Sequence, residues 1–385
     1  MKASGATREL LARLVGFDTT TRNSNIGIIA FIEDYLGRHG VASLRVDYEA
    51  GNKTNLYATI GPDGPGGIVL SAHTDVVPVD GQEWSTDPFS ATEKDGLVYG
   101  RGTADMKGFL AAALAAVPRL KARVLKRPVH LAISCDEEIG CLGVRPLIAH
   151  MRAHLPTPLA VIVGEPTLMQ VVDAHKAVIS FQTEVTGHEA HSSVAHTGVN
   201  AVMVAGELLG ELNRLAAMMR ARADPDSPFD PPYMTVHVGD ITGGTAKNIV
   251  PRRCSFGWET RLMPNDDAEE VPATLGRFAE GLLPAMRRVA ENSGIVTRHV
   301  NSVPGLNPDA ASPALELALR LAQANRTSAV SYATEAGLFQ QAGIPAIICG
   351  PGSIDQAHKP DEFVASAELA RCELFLDRLG EYCAN

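Results

Sequence analysis

The chain has no excess of positive charge: 34 Lys and Arg stand against 44 Asp and Glu, a formal net charge of −10. Nucleic acid and anionic membranes both reward a basic face, so neither is expected as a partner. A long apolar run is also missing. The first residues, MKASGATRELLARLVGF, have neither the apolar core nor the small-residue cleavage site of a secretory signal. The most apolar later stretch, Gly108–Val117, falls well short of the ~20 residues needed to span a bilayer. The cysteines (Cys135, Cys141, Cys254, Cys349, Cys372, Cys383) form no CxxC pair. That disfavours a cysteine zinc site and points to free thiols in a reduced, cytoplasmic setting. There is no GxSxG elbow, no GxxxxGK[ST] loop and no HExxH. The glycines of GPDGPGG (61–67) precede a strand pattern instead of opening a helix, so they make no dinucleotide fingerprint. No internal repeat or low-complexity tract occurs.

What remains is an ordinary globular composition, 45% hydrophobic and 20% charged over 385 residues. That length has room for two or three domains at roughly 150 residues each, and can bury a core without disulfides. Helical periodicity opens the chain at Thr7–Val15 and Ile28–His39. Four short runs, Gly67–Ser71, Val129–Ser134, Leu159–Val163 and Ala346–Cys349, are apolar with little alternation, as strands covered on both faces are. Helical patterns at Met106–Leu120 and Leu142–Ala153 lie between them, which predicts an α/β layer architecture. The middle of the chain differs. AVISFQTEVT (177–186) alternates like a strand with one solvated face, and a helix from Val199 to about Arg222 follows it. Strands at Met234–Asp240 and Cys254–Leu262, a helix at Ala268–Val289 and a strand at Gly294–Val300 complete a β-α-β-β-α-β order. That is the ferredoxin-like split motif. The expected fold is a central twisted, largely parallel sheet flanked by helices, formed by 1–177 and 303–385, with an α+β domain inserted at 178–302.

Polar residues that carry chemistry follow the predicted buried strands. His73 and Asp75 come after IVLSA, Glu137 and Glu138 after VHLAISCD, Glu165 after LAVIVG, and His358 after AIICGPG. Asp105, in RGTADMKG, is expected to open the helix near Met106. Each has an unremarkable alternative: a hydrogen-bonded histidine, a loop aspartate, a helix cap, a solvated acidic turn. In an open α/β sheet, however, ligands gather beyond the carboxyl ends of the strands. So many carboxylates at one edge repel one another unless one or two dications neutralise them. The two-residue spacing lets Asp75 accept the second ring N–H of His73. Nitrogen and oxygen donors alone suit zinc, with cobalt, manganese or nickel as substitutes.

The ordered motifs SAHTDVVPV, YGRGTADMKG, CDEEIG, VGEP, GHEAHSS and AHKPDEF resemble the di-zinc aminoacylase and carboxypeptidase family over nearly the whole chain. The resemblance implies two Zn2+, with Co2+ or Mn2+ possible. It implies His73 and Glu165 as ligands of a first metal, Glu138 and His358 of a second, and Asp105 as the bridge between them. Asp75 would orient His73, and Glu137 would be the general base. A cis Asp105–Met106 peptide is implied as well. In the inserted domain, His191 (preferred to His188 and His196) matches a histidine that family dimers present to a neighbouring active site, and Asn248 and Arg261 match substrate contacts. A homodimer is therefore expected, with the inserted domain as its dimerisation or lid domain.

STDPFSATEKDGLVYGRGTADMKG, SYATEAGLFQQAG and GPGSIDQAHKPDEFV most resemble the branch that removes the acetyl group from N2-acetyl-L-ornithine. The substrate is then a small N-acyl amino acid. Rival substrates are an N-succinyl-diaminopimelate, another N-acyl amino acid or a dipeptide, and a non-catalytic metal-binding scaffold stands further off. Glu335 is the candidate to face the substrate ammonium or to order water beside it; the alternative is that Thr334 and Glu335 simply begin a helix.

Overall fold

The computed structural model describes residues 2–48 and 52–385. Two compact units divide the chain. One comprises Met1–Ala174, Leu306–Ala329 and Thr334–Asn385, the other His175–Gly305 and Val330–Ala333.

The first unit is built on the apolar runs. Ile68–His73 and Val129–Ser134 are buried at every position. Ile68–His73 pairs in parallel with Val129–Ser134 on one side and with Ala160–Val163 on the other, and Ala346–Ile348 continues the parallel set. Strands with both faces covered have no solvated side to make polar, which is why these segments do not alternate. The expected largely parallel sheet needs one correction: its margins are antiparallel. Ser43–Asp47 pairs antiparallel with Thr54–Ile60, and Thr54–Ile60 with Val129–Ser134. The link from Asp47 to Thr54 is too short for the crossover that a parallel pair requires.

The helix Gly108–Lys121 lies against this sheet, with Leu110, Leu114, Val117 and a run of alanines buried. Small side chains favour the helix and let neighbours approach closely. Leu114, fully buried in the main apolar cluster, would cost about 2–5 kcal/mol if cut to alanine. A separate three-stranded sheet joins Thr92–Lys94, Leu97–Tyr99 and Phe363–Ala365, with Phe363 opposite Tyr99. It was not foreseen, because three residues are too few to show a period.

The second unit has a four-stranded antiparallel sheet in the order Thr235–Gly243, Arg253–Leu262, Ala177–Thr186, Gly294–Val303. Helices Ala201–Arg220 and Glu270–Val289 complete the ferredoxin-like order. Alternation sorts the faces: Phe181, Val185, Phe256 and Trp258 join the helices in an apolar cluster. The Asn200 side chain caps the first helix by accepting from the Met203 N–H at 3.0 Å.

All six cysteines are free and buried. Among the described residues, no helix is long and apolar enough to cross a membrane.

Candidate metal centre

The parallel strands of the first unit deliver the acidic and histidine residues to their carboxyl ends. His73 is the last residue of its strand and stands opposite Ser134, the last of the next. Glu137 and Glu138 follow Ser134, Glu165 follows Ala160–Val163, and His358 follows Ala346–Ile348. Gly164 is required just before Glu165, since a Cβ there would lie 2.0 Å from the Phe109 ring.

Asp105 does not open the helix, as the sequence had led us to expect. The helix starts at Gly108, and Asp105 and Met106 sit in a wide turn over Thr103–Lys107 with non-helical backbone angles. Gly102 enters that turn at φ 82, and a Cβ on it would also lie 2.7 Å from Val76. The Asp105–Met106 peptide is cis.

The turn puts the Asp105 carboxylate between two histidines. Its Oδ1 is 3.1 Å from His73 Nε2, and its Oδ2 is 3.4 Å from His358 Nε2. Glu165 Oε1 lies 3.7 Å from His73 Nε2, and Glu138 Oε2 lies 3.0 Å from His358 Nε2. Donor atoms of His73, Glu137 and Glu165, and of His73, Asp105 and Glu138, each fall within 4.8 Å of one another.

The second ring nitrogen of His73 reaches the Asp75 backbone carbonyl at 3.0 Å, and the Asp75 carboxylate only at 3.6 Å. That carboxylate is drawn aside by the Glu138 N–H, which donates to Oδ2 at 3.1 Å. The spacing argument therefore found the right residue and the wrong oxygen.

Electrostatics drive the cluster to hold protons, as crowded buried carboxylates do where no cation offsets them. Burial, then the charges of Glu138 and Asp105, holds the Glu137 carboxyl well above its usual range. Burial and Asp105 raise Glu138 to about 7. Burial, Asp105 and Glu137 push Glu165 up as well. Hydrogen bonds to Asp105 and Glu138 raise His358 to about 10. Burial lowers His73, but Asp105, Asp75 and Glu165 overcome it and carry it well above its ordinary value. Two buried carboxylate oxygens, Asp75 Oδ1 and Glu165 Oε1, have no hydrogen-bond donor. Orphaned buried acceptors amid mutually repelling carboxylates and imidazoles are what a divalent cation would satisfy, so these residues fit a metal centre.

Glu335 is not where a substrate ammonium could be expected to meet it. Its carboxylate is 1% exposed and accepts from Ser71 Oγ at 2.9 Å and from Ser134 Oγ. Two hydroxyls from adjacent strands hold it beneath the strand ends, and it flanks the helix Ala336–Gln341 at the N-terminal side.

His191, Asn248 and Arg261 belong to the second unit. His191 and Ile249 form a bridge, and the Ser192 N–H donates to the Asn248 carbonyl at 3.0 Å, so the two loops run side by side. The Arg261 guanidinium is held by Glu259 at 2.9 Å.

Sequence reading missed three partners of the cluster. The Cys141 thiol donates to Glu137 Oε1 at 3.3 Å. Lys53 pairs with Asp136, beside the acidic pair. Glu362 accepts from the Asp105 N–H at 3.1 Å. Glu362 lies within the AHKPDEF motif, which was its only signal.

Residues 69–381 match Peptidase family M20/M25/M40. An acetylornithine deacetylase from Myxococcus xanthus is 36% identical over 99% of this chain and 98% of its own. An M20 family metallo-carboxypeptidase from Sulfolobus solfataricus superposes with TM-score 0.77 at 20% identity, covering 98% of this chain and 99% of its own. A dinuclear metal-binding M20 peptidase from Bacillus subtilis gives 0.67 at 17% identity, covering 98% of each chain. The chain belongs to the M20/M25/M40 peptidase family and is a metal-dependent amidohydrolase.

Proposed function

We propose that the chain removes the acetyl group from N2-acetyl-L-ornithine, giving L-ornithine and acetate, as a cytoplasmic enzyme of arginine synthesis. The observation that carries the hydrolytic reading is the Asp105 carboxylate, with one oxygen toward each of two histidines. The substrate rests on the relative from Myxococcus xanthus, similar along 99% of the chain.

His73, Asp105 and Glu165 would hold one ion, and Asp105, Glu138 and His358 the other, with zinc the best match to this donor set. When bound, such ions polarise a carbonyl and lower the pKa of water from 15.7 towards 7. Glu137, the carboxylate left over, takes the proton from the attacking water and returns it to the departing nitrogen.

His191 is the oxyanion donor. The Ser193 N–H can only donate, and it points at His191 Nδ1 at 3.2 Å. A neutral ring whose Nδ1 accepts carries its proton on Nε2, free to donate to a carbonyl oxygen. Arg261, with Asn248, holds the α-carboxylate through its planar fork. The second unit serves as lid and as the contact of a homodimer.

The test is direct. Purified protein should deacetylate N-acetylornithine, lose activity to a chelator and regain it with zinc or cobalt. Faster turnover of N-succinyl-diaminopimelate, N-acetylmethionine or a dipeptide would reassign the substrate. Light scattering at the 40.8 kDa chain mass, not about twice that, would remove the dimer.

A further inference from the structure

The turn that carries Asp105 cannot satisfy its own backbone. It passes through left-handed Gly102 and non-helical Asp105, so several of its N–H groups have no partner in a helix or strand. Glu362 takes them. Oε2 accepts from the Gly102 N–H at 2.9 Å and from the Arg101 guanidinium at 2.8 Å. Oε1 accepts from the N–H groups of Ala104 at 2.9 Å and Asp105 at 3.1 Å. An ionised carboxylate has about four acceptor positions and no donor, and here all four are taken. Glu362 is 1% exposed, so no water competes for them. With its acceptors filled, it is not itself a metal ligand.

Arg101 extends the connection. Its second nitrogen donates to Gln82 Oε1 at 2.6 Å, and its plane lies over the Trp84 ring at 5.0 Å. The Gln82 amide then donates to the His358 carbonyl at 2.9 Å. Arg101 also donates to the Lys359 carbonyl at 3.3 Å. The small sheet pairs the same two stretches of chain, with Phe363 opposite Tyr99. One closed set of hydrogen bonds therefore ties the turn bearing Asp105 to the loop bearing His358. His358 needs such a tie, because its side chain is 53% exposed and its backbone sits at φ 63.

We infer that Glu362 is a positioning residue that fixes Asp105 and His358 as a pair and so sets the affinity of the ion they share. The inference rests on reading the cluster as a metal centre. Without Glu362 the two loops would have to be ordered when the ion binds, and that entropy would be subtracted from binding. Partners that orient metal ligands are typically worth 10–100-fold in affinity.

Glu362→Gln is nearly isosteric and turns an NH2 group toward N–H donors. Metal-free wild type and variant are titrated with Co2+, followed by its visible absorption and by calorimetry. The expected result is that the ion held with His358 weakens 10–100-fold, and the ion held by His73 and Glu165, which shares only Asp105, weakens clearly less, with an unchanged far-UV spectrum. Gln82→Ala cuts the tie to His358 but leaves every amide bond to Glu362. It should weaken the same ion and spare the other, and it keeps the test decisive should Glu362→Gln fail to fold. Equal affinities in wild type and both variants, or equal weakening of both ions, would overturn the inference alone. A wild-type protein that takes up no Co2+ would overturn the metal centre along with it.

Discussion

Ser193 donates its backbone N–H to Nδ1 of His191, and its hydroxyl lies 2.7 Å from the same nitrogen. This fixes which face of the imidazole can donate. His191→Ala should therefore lower kcat about 10²–10³-fold, the usual cost of one oxyanion donor. Metal content should stay at the wild-type value. His188→Ala, in the same loop, should leave kcat within a few fold; an equal loss would assign the role to the other ring.

Glu137→Gln should retain fold and metal while losing about 10²–10⁴ in turnover, the range for general acid–base catalysis. Elemental analysis of the dialysed protein and a steady-state assay separate the two properties. Wild-type turnover in this variant would remove Glu137 from the mechanism.

Glu335 lies beneath the strand ends, bound by the hydroxyls of Ser71 and Ser134. Glu335→Gln should thus reduce activity on N-acetylornithine and on N-acetylmethionine by the same factor. Denaturation should show a loss of about 1–3 kcal/mol, because one hydroxyl contact is disturbed in a buried setting. A rise in KM for the charged substrate alone would return Glu335 to the substrate pocket.

Gly164→Ala drives a methyl group into the Phe109 ring. Overpacking of this kind costs about 1–3 kcal/mol. Phe109→Leu in the same chain should recover part of the loss, so that urea midpoints show the two changes to be less than additive. Additive losses would mean that the Phe109 ring is not what the added methyl group meets.

His130 is buried against Tyr57 and Thr59, and burial, only slightly opposed by Asp63, holds its pKa down to about 4 from 6.5. Between those values the unfolded chain binds a proton that the folded chain refuses. Stability is therefore complete above about pH 6.5 and falls as pH drops toward about 4, by up to about 3 kcal/mol from this group. His130→Gln should flatten the difference in urea stability between pH 7.5 and 5 relative to wild type. An unchanged slope would show that His130 titrates alike in the folded and the unfolded chain.

Legibility followed the range of the interactions. The parallel core could be read because burial on both faces leaves each strand a continuous apolar run, and the second unit because alternation and helical period survive in ten- to twenty-residue elements. The acidic and histidine residues of the candidate cluster could be picked out because most of them fall just past those runs. The turn at Asp105 could not: its shape depends on Glu362, which lies 257 residues away in the chain. Glu335 was misplaced for the same reason. Nothing local signals that Ser71 and Ser134, on two different strands, will converge on one carboxylate. The choice between a carbonyl and a carboxylate oxygen at Asp75 is likewise settled by the distant Glu138 N–H.

Ala346–Ile348 lies between Ala160–Val163 and Val172–His175 inside the large sheet. During synthesis on the ribosome, the segment His175–Gly305, most of the second unit, emerges while the strands before it still have an open seam. That seam closes only when the chain has been made beyond Ile348, and His358 is added later still. A nascent chain halted before this point would own most of the carboxylates but neither the strand that flanks Glu165 nor the second histidine, so full ion uptake should wait until His358 has been made.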